Sequence, residues 1–322
     1  MVTDLFEKEK FDGIIGLGGT AGTAVVSSAM RGLPFGLPKI CVSTVASGDV
    51  SPYLGTSDII MIPSLTDIAG INSLSKVFLT NAVGALSGMM ETSVEKGGEE
   101  KQIIAASMFG NTTPCIDRCR EMLTKNGYEV LVFHATGAGG KTMEKLVKEG
   151  AIQGVLDITT TEWADTLCGG VFDAGPERLD GAGKMGIPQL ISPGCIDMCN
   201  FGGRSTIPAK YNNRLFYEWN PNVTLMRTTV EENAEMGKIF AEKANNAKGK
   251  VTFLIPLKGF SMLDSVNDKN EPQLFWDPAA DKAFIDSLKK NLTPGINVIK
   301  IDANINDEAF SKKAVELFLS MI

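Results

Sequence analysis

The strongest constraint on this chain is an alternation. Short apolar runs are each followed by a turn rich in Gly, Ser or Thr, and then by a segment of helical periodicity. A parallel strand covered on both faces reads as a near-continuous apolar run, and its crossover to the next strand is usually a helix. Gly13 to Leu17, Lys39 to Val45, the weaker Ile59 to Met61, Gln102 to Met108, Tyr128 to Phe133, Gly154 to Ile158, Gln189 to Ser192, Val251 to Leu257 and Ile296 to Ile301 read as strands. Helical patterns lie between them, among others Thr113 to Lys125, Pro176 to Lys184, Glu231 to Ala244, Pro278 to Lys290 and Asp307 to Met321. The stretch from Gly194 to Asn222 reads as irregular.

The expected architecture is therefore α/β, with two Rossmann-like subdomains of mostly parallel sheet at 1–98 and 99–322. The charged, glycine-containing stretch Glu91 to Lys101 reads as the linker. The first subdomain has few strands for a self-sufficient doubly wound sheet, so it reads as incomplete. Ile68 to Met90 reads as one long helix whose small residues suit close packing, within the domain or across a subunit interface.

Composition removes several classes of function. Of the 322 residues 43% are hydrophobic and 21% charged, the balance of a globular protein. A formal net charge of -7 argues against general nucleic-acid binding, which needs a basic face. No apolar run reaches transmembrane length, and Met1 to Phe11 lacks a secretory apolar core, so a cytoplasmic protein with reduced thiols is expected. Cys115-x-x-x-Cys119 and Cys195-x-x-x-Cys199 are spaced more loosely than the usual C-x-x-C zinc motif, and no metal is assigned to them.

In open parallel sheets, ligands bind at the carboxyl ends of the strands. Those positions here carry Gly18, Gly19, Thr20, Gly22 and Thr23 after the first strand, and Ser43, Thr44, Ser47 and Gly48 after the second. Glycines let an anion approach backbone N–H groups, and a following helix start adds a favourable dipole. Gly16 to Ala21 fits the loose pattern G-x-G-x-x-[GA], but the acid expected ~20 residues later for a dinucleotide ribose is missing, so a phosphate-binding turn is expected instead. Ala135 to Thr142 resembles a P-loop with Ala at its first glycine. Further strand ends carry Asn111-Thr112-Thr113, Thr159-Thr160-Thr161 and Ser192-Pro193-Gly194. His134, the one histidine, together with Asp157 and Glu162 on adjacent strand ends, forms a candidate acid–base cluster. Ser, Thr and Gly also serve as plain turn and cap residues, and Glu162 as a helix-start residue.

Several stretches together resemble a known family. They are Gly16 to Thr23, Met30 to Lys39, Val42 to Asp49, Val132 to Gly137, Leu156 to Glu162, Ser192 to Gly194 and Thr224 to Thr229. The chain is similar over essentially its whole length to the bacterial and plant family named after the tomato mosaic virus resistance protein. The resemblance implies two Rossmann-like subdomains, ATP with magnesium in the N-terminal one, and a homodimer. Two departures are visible. Family members usually begin with a further segment carrying a Gly-Thr-Leu-Asp-Thr-Lys-Gly-like loop, which a separate polypeptide would have to supply here. Where the family tends to have His in a late Asp-x-His-Ile-Asn-Asp motif, this chain has Asn304.

Three functions compete at this point: a nucleotide-binding protein acting on a small metabolite, a non-nucleotide hydrolase or lyase using His134, and a non-catalytic dimeric interaction protein.

Overall fold

In the computed structural model, which describes residues 1–68, 70–92, 101–267 and 269–322, the chain divides into two units, Met1–Glu100 and Lys101–Ile322. The expected boundary at 98 lies outside the described residues.

Unit 1 runs α1 (Val2–Glu7), β1 (Ile14–Gly18), α2 (Thr20–Arg31), β2 (Lys39–Ser43), α3 (Ser51–Leu54), β3 (Ile60–Pro63) and α4 (Ser73–Glu91). Its three strands form a parallel sheet of order β1-β2-β3. The central strand, β2, is buried at every position, while β1 and β3 are partly exposed edges. Lys39, at the start of β2, is buried. Its ammonium donates to Pro34 O (2.7 Å) and Leu37 O (2.8 Å) and pairs with Asp58 (2.8 Å). A buried ammonium needs such partners, and they pin the proline-rich loop before β2. The long helix starts at Ser73 and not at Ile68, because Asn72 caps it. The Asn72 side chain accepts from the N–H groups of Leu74 and Ser75, and the Ser75 hydroxyl accepts from Asn72 N.

Unit 2 runs β4 (Ile103–Met108), α5 (Thr113–Lys125), β5 (Glu129–His134), α6 (Ala138–Lys148), β6 (Gly154–Thr159), α7 (Glu162–Cys168), α8 (Gly181–Met185), β7 (Gln189–Gly194), β8 (Met198–Phe201), β9 (Phe216–Asn220), β10 (Val223–Arg227), α9 (Val230–Asn245), β11 (Val251–Pro256), α10 (Pro278–Asn291), β12 (Asn297–Ile301) and α11 (Glu308–Leu319). Six strands form one parallel sheet of order β12-β11-β7-β6-β4-β5. The chain moves outward from β4 to β5, then returns past β4 to β6. That reversal makes the carboxyl ends of β4 and β6 the topological switch point, where ligands of such sheets sit.

Two stretches of unit 2 also differ from expectation. The stretch read as irregular contains β8 and β9, which with β10 make a second, antiparallel sheet of order β8-β10-β9. β8 has four residues and β9 is mostly exposed, so neither presents a long apolar run. The helix expected from Pro176 shrinks to α8, because Leu179 adopts φ +74°, which no helix accommodates. Among the described residues no helix is long and apolar enough to cross a membrane.

Candidate functional site

In unit 1 the strand-end turns gather at the start of α2. Gly19 precedes that helix and has no side chain to cap it. Thr23 N is the first to find an intrahelical acceptor, Gly19 O at 2.7 Å. The N–H groups of Thr20, Ala21 and Gly22 therefore have no intrahelical partner. A β-carbon on Gly18 would fall 2.4 Å from Thr23 N, so glycine there lets β1 press against the first turn of α2. One on Gly19 would meet only Thr44 Oγ1, at 3.7 Å, which leaves the space in front of the helix open.

The residues expected to hold a cofactor separate into two groups. Thr20, Ser47 and Gly48 are exposed, and Gly19, Gly22 and Thr44 are half-buried at the rim. Thr23 and Ser43 are buried, with their hydroxyls 2.6 Å apart. Thr23 Oγ1 donates to Gly18 O (3.2 Å), and Ser43 Oγ accepts from Val45 N (3.1 Å). Their hydroxyls serve the turn itself, which corrects the expectation that they face a ligand.

The P-loop-like turn of unit 2 is built differently. Gly137 takes φ +79°, and β-carbons on Gly139 and Gly140 would fall 1.9 Å from His134 O and 2.3 Å from Glu162 Oε2. Glu162 Oε1 accepts from the N–H groups of Gly137 (2.8 Å) and Gly140 (3.1 Å). The anion position at the start of α6 is thus filled by the chain's own carboxylate, and Lys141 stays exposed.

Glu162 belongs to a buried ionic cluster around Arg178. Arg178 Nε donates to Glu162 Oε2 (2.6 Å), its terminal nitrogens form a fork onto Asp157 (2.6 and 2.5 Å), and Glu144 lies 3.4 Å away. Ser107 and Gln189 donate to the remaining Asp157 lone pairs (2.7 and 3.2 Å). Burial pushes Glu162 and Glu144 above the usual carboxylate range against the pull of Arg178. Burial also works against the Arg178 charge, but Asp157, Glu162 and Glu144 outweigh it and hold the guanidinium protonated. Asp157 and Glu162 were expected to take part in acid–base chemistry. The structure instead commits them to holding Arg178 and the start of α6.

The hydroxyls at these strand ends also close on one another. Thr112 Oγ1 bonds Thr159 Oγ1 (2.8 Å), Thr160 Oγ1 donates to Ser192 O (3.0 Å), and Thr161 Oγ1 donates to Met198 O (3.1 Å). A cavity of about 280 Å³ does open at the carboxyl ends of β4 and β5, with β9 and β10 on its other side. Of His134, Asp157 and Glu162, only His134 lies on its wall. The His134 ring is edge-on to Phe109, with centroids 5.6 Å apart. Phe172, also on the wall, is held by its N–H, which donates to Asp165 (3.0 Å). Asp165 is buried with only neutral donors, from Phe172 and Asn200, and burial pushes it up to about 7.

Two family models match the chain: the N-terminal domain of the Uncharacterised protein family (UPF0261) over residues 1–95, and its C-terminal domain over 101–322. The chain belongs to the UPF0261 family. A UPF0261 protein of Clostridium tetani is 48% identical over 323 residues, covering 100% of this chain and 79% of that one. The ToMV resistance protein Tm-1 of Solanum lycopersicum is 44% identical over 98% of this chain, which spans 42% of the tomato protein. The ToMV susceptible protein tm-1 of the same plant is equally similar, 44% over 98%. Similarity at this level does not separate resistance from susceptibility.

In this UPF0261 chain the residues that sequence reasoning missed are Arg178, Glu144, Phe172 and Trp219. Glu144 does carry a signal: it sits between Met143 and Val147 on the buried stripe of α6, where a lone acid demands a partner. Asn304 is a clasp. Its amide donates to Lys258 O (2.9 Å) and Ser261 O (3.2 Å).

Proposed function

We propose that this chain binds nucleotide, taking the phosphates of ATP, with their magnesium, at the start of α2 in unit 1. The observation that carries the reading is the uncapped first turn of α2 with open space beside Gly19. Three unpartnered N–H groups and a helix dipole attract an anion. The rim residues Thr20, Thr44 and Ser47 add hydroxyl donors. The resemblance of Gly16 to Thr23 and Val42 to Asp49 to the nucleotide-side motifs of the tomato mosaic virus resistance family points the same way. The protein acts in the cytoplasm, where ATP is abundant and its six free, buried cysteines stay reduced. It works as a homodimer, a reading supported by the exposed Leu74, Val77 and Val83 on α4. Light scattering that finds a monomer at micromolar concentration removes the dimer.

Titration calorimetry with magnesium and ATP tests the nucleotide reading. Gly19→Leu is expected to weaken binding by about tenfold or more, equivalent to ~1.4 kcal/mol, with the melting profile preserved, because a β-carbon there meets no backbone. No saturable heat from the wild-type chain, or equal affinity in the variant, ends the reading.

A further inference from the structure

The cavity of unit 2 is lined wholly by residues of that unit, and its chemistry differs from that of the α2 turn. Three aromatic side chains shape it. Phe109 and Phe172 pack edge-on, 6.0 Å apart, at one side. Trp219 reaches over from β9, its Cζ2 about 4.0 Å from where a β-carbon on Gly110 would lie. Trp219 is 50% exposed, which leaves much of an indole in water with the cavity beneath it. Rings placed this way favour a flat π-system between or against them.

The polar groups narrow the class further. Among the described residues no Asp, Glu, Lys or Arg lines the wall, and His134 is its one titratable side chain. A charged ligand would lose its hydration there with no opposite charge to replace it. Thr136 and Asn220 add neutral polar side chains to the wall. At about 280 Å³ the space falls just under the ~300–1,000 Å³ of drug-sized sites, room for one or two rings.

The geometry points to a second binding site here, for a small, uncharged, planar aromatic molecule. Trp219 forms the roof that stacks on the ring, and Phe109 and Phe172 form the side wall. A larger side chain at Gly110 would project towards the indole and fill part of the cavity. This site is built from unit 2 residues alone.

The test uses the full chain with three probes, 4-hydroxybenzamide, nicotinamide and adenine, and with cyclohexanecarboxamide as the non-planar control. Ligand-observed NMR reads binding, and tryptophan fluorescence reads contact with Trp219. At least one flat probe is expected to bind saturably, more tightly than the control by about tenfold, a difference of ~1.4 kcal/mol. Trp219→Ala and Gly110→Leu should each cost that probe a similar factor, while Trp219→Phe keeps most of the affinity. Trp219 is half exposed, so its replacement leaves the fold standing, which circular dichroism verifies. Absence of saturable binding by all three probes overturns the proposal. So does equal binding of the cyclohexane control, or unchanged affinity in both Trp219→Ala and Gly110→Leu.

Discussion

Each unit starts a helix with a glycine-rich turn after a parallel strand, and the two turns have opposite fates. At α6 the N–H groups of Gly137 and Gly140 are held by the Glu162 carboxylate, itself held by Arg178. At α2 the N–H groups of Thr20, Ala21 and Gly22 meet no side-chain cap. Turn composition therefore says where an anion can sit, and the rest of the fold says whether the chain supplies its own. The turn that looks more like a phosphate loop in sequence is the one already filled.

The largest effect should come from removing what holds the internal anion in place. Arg178→Met leaves Asp157, Glu162 and Glu144 facing one another in the core of unit 2 without a counter-charge. Breaking a buried ion pair from one side costs about 3–5 kcal/mol, and here three carboxylates lose their partner. Urea unfolding should show that loss. A change under ~1 kcal/mol, the scale of an exposed pair, would mean that the cluster is not the keystone of this turn.

The next comparison lies within the α2 turn. Gly18→Ala drives a β-carbon to within 2.4 Å of backbone and should destabilise by about 1–3 kcal/mol, the usual cost of overpacking. Gly19→Ala meets only a hydroxyl at ordinary contact distance and should stay within ~0.5 kcal/mol. Equal costs would show that the turn does not distinguish its packing glycine from its open one.

Much of this was legible beforehand. The apolar runs located β4, β6, β7 and β11 because strands buried on both faces are mostly apolar, and Thr113 to Lys125 was read with its observed ends. The carboxyl-end rule singles out Gly19, before α2, and His134, at the end of β5. What stayed hidden depends on long-range pairing. Arg178 lies just before α8, in a stretch that reads as helix in sequence, 16 residues from Glu162 and 34 from Glu144 along the chain, so its partners are set by long-range packing. Trp219 belongs to a strand whose outer face is wet, and its role appears only once β9 is laid beside the ends of β4 and β5.

A buried carboxylate without a cation sharpens the role of Arg178. Asp165 accepts three N–H bonds but faces no guanidinium, and it rises to about 7 from 3.8. The folded chain then binds this proton more tightly than the unfolded chain does. Its contribution to stability is present at low pH and is lost as pH rises from ~4 towards about 7, with a slope of up to ~1.4 kcal/mol per pH unit. Asp165→Asn keeps the acceptor for Phe172 N and removes the titration. The difference between the urea midpoints of variant and wild type should widen in the variant's favour from pH 5 to pH 7. Parallel profiles would show that burial does not shift Asp165.

The smallest effect speaks most directly to the comparison. Glu162→Ala empties the anion position at α6 and leaves the N–H groups of Gly137 and Gly140 bare, which makes that turn like α2. A small carboxylate should then enter from solution. With a dissociation constant near 0.1 M, 0.1 M formate stabilises by ~0.4 kcal/mol, read as a rise in the urea midpoint over chloride at equal ionic strength. The wild-type chain has that position filled, so its own response to formate should come from the α2 turn and disappear in Gly19→Leu. In the double variant Glu162→Ala, Gly19→Leu the α6 response should remain. If formate acts equally on every variant, the two turns are not anion sites of the same kind, and an open helix start in this fold has no more pull on an anion than the rest of its surface.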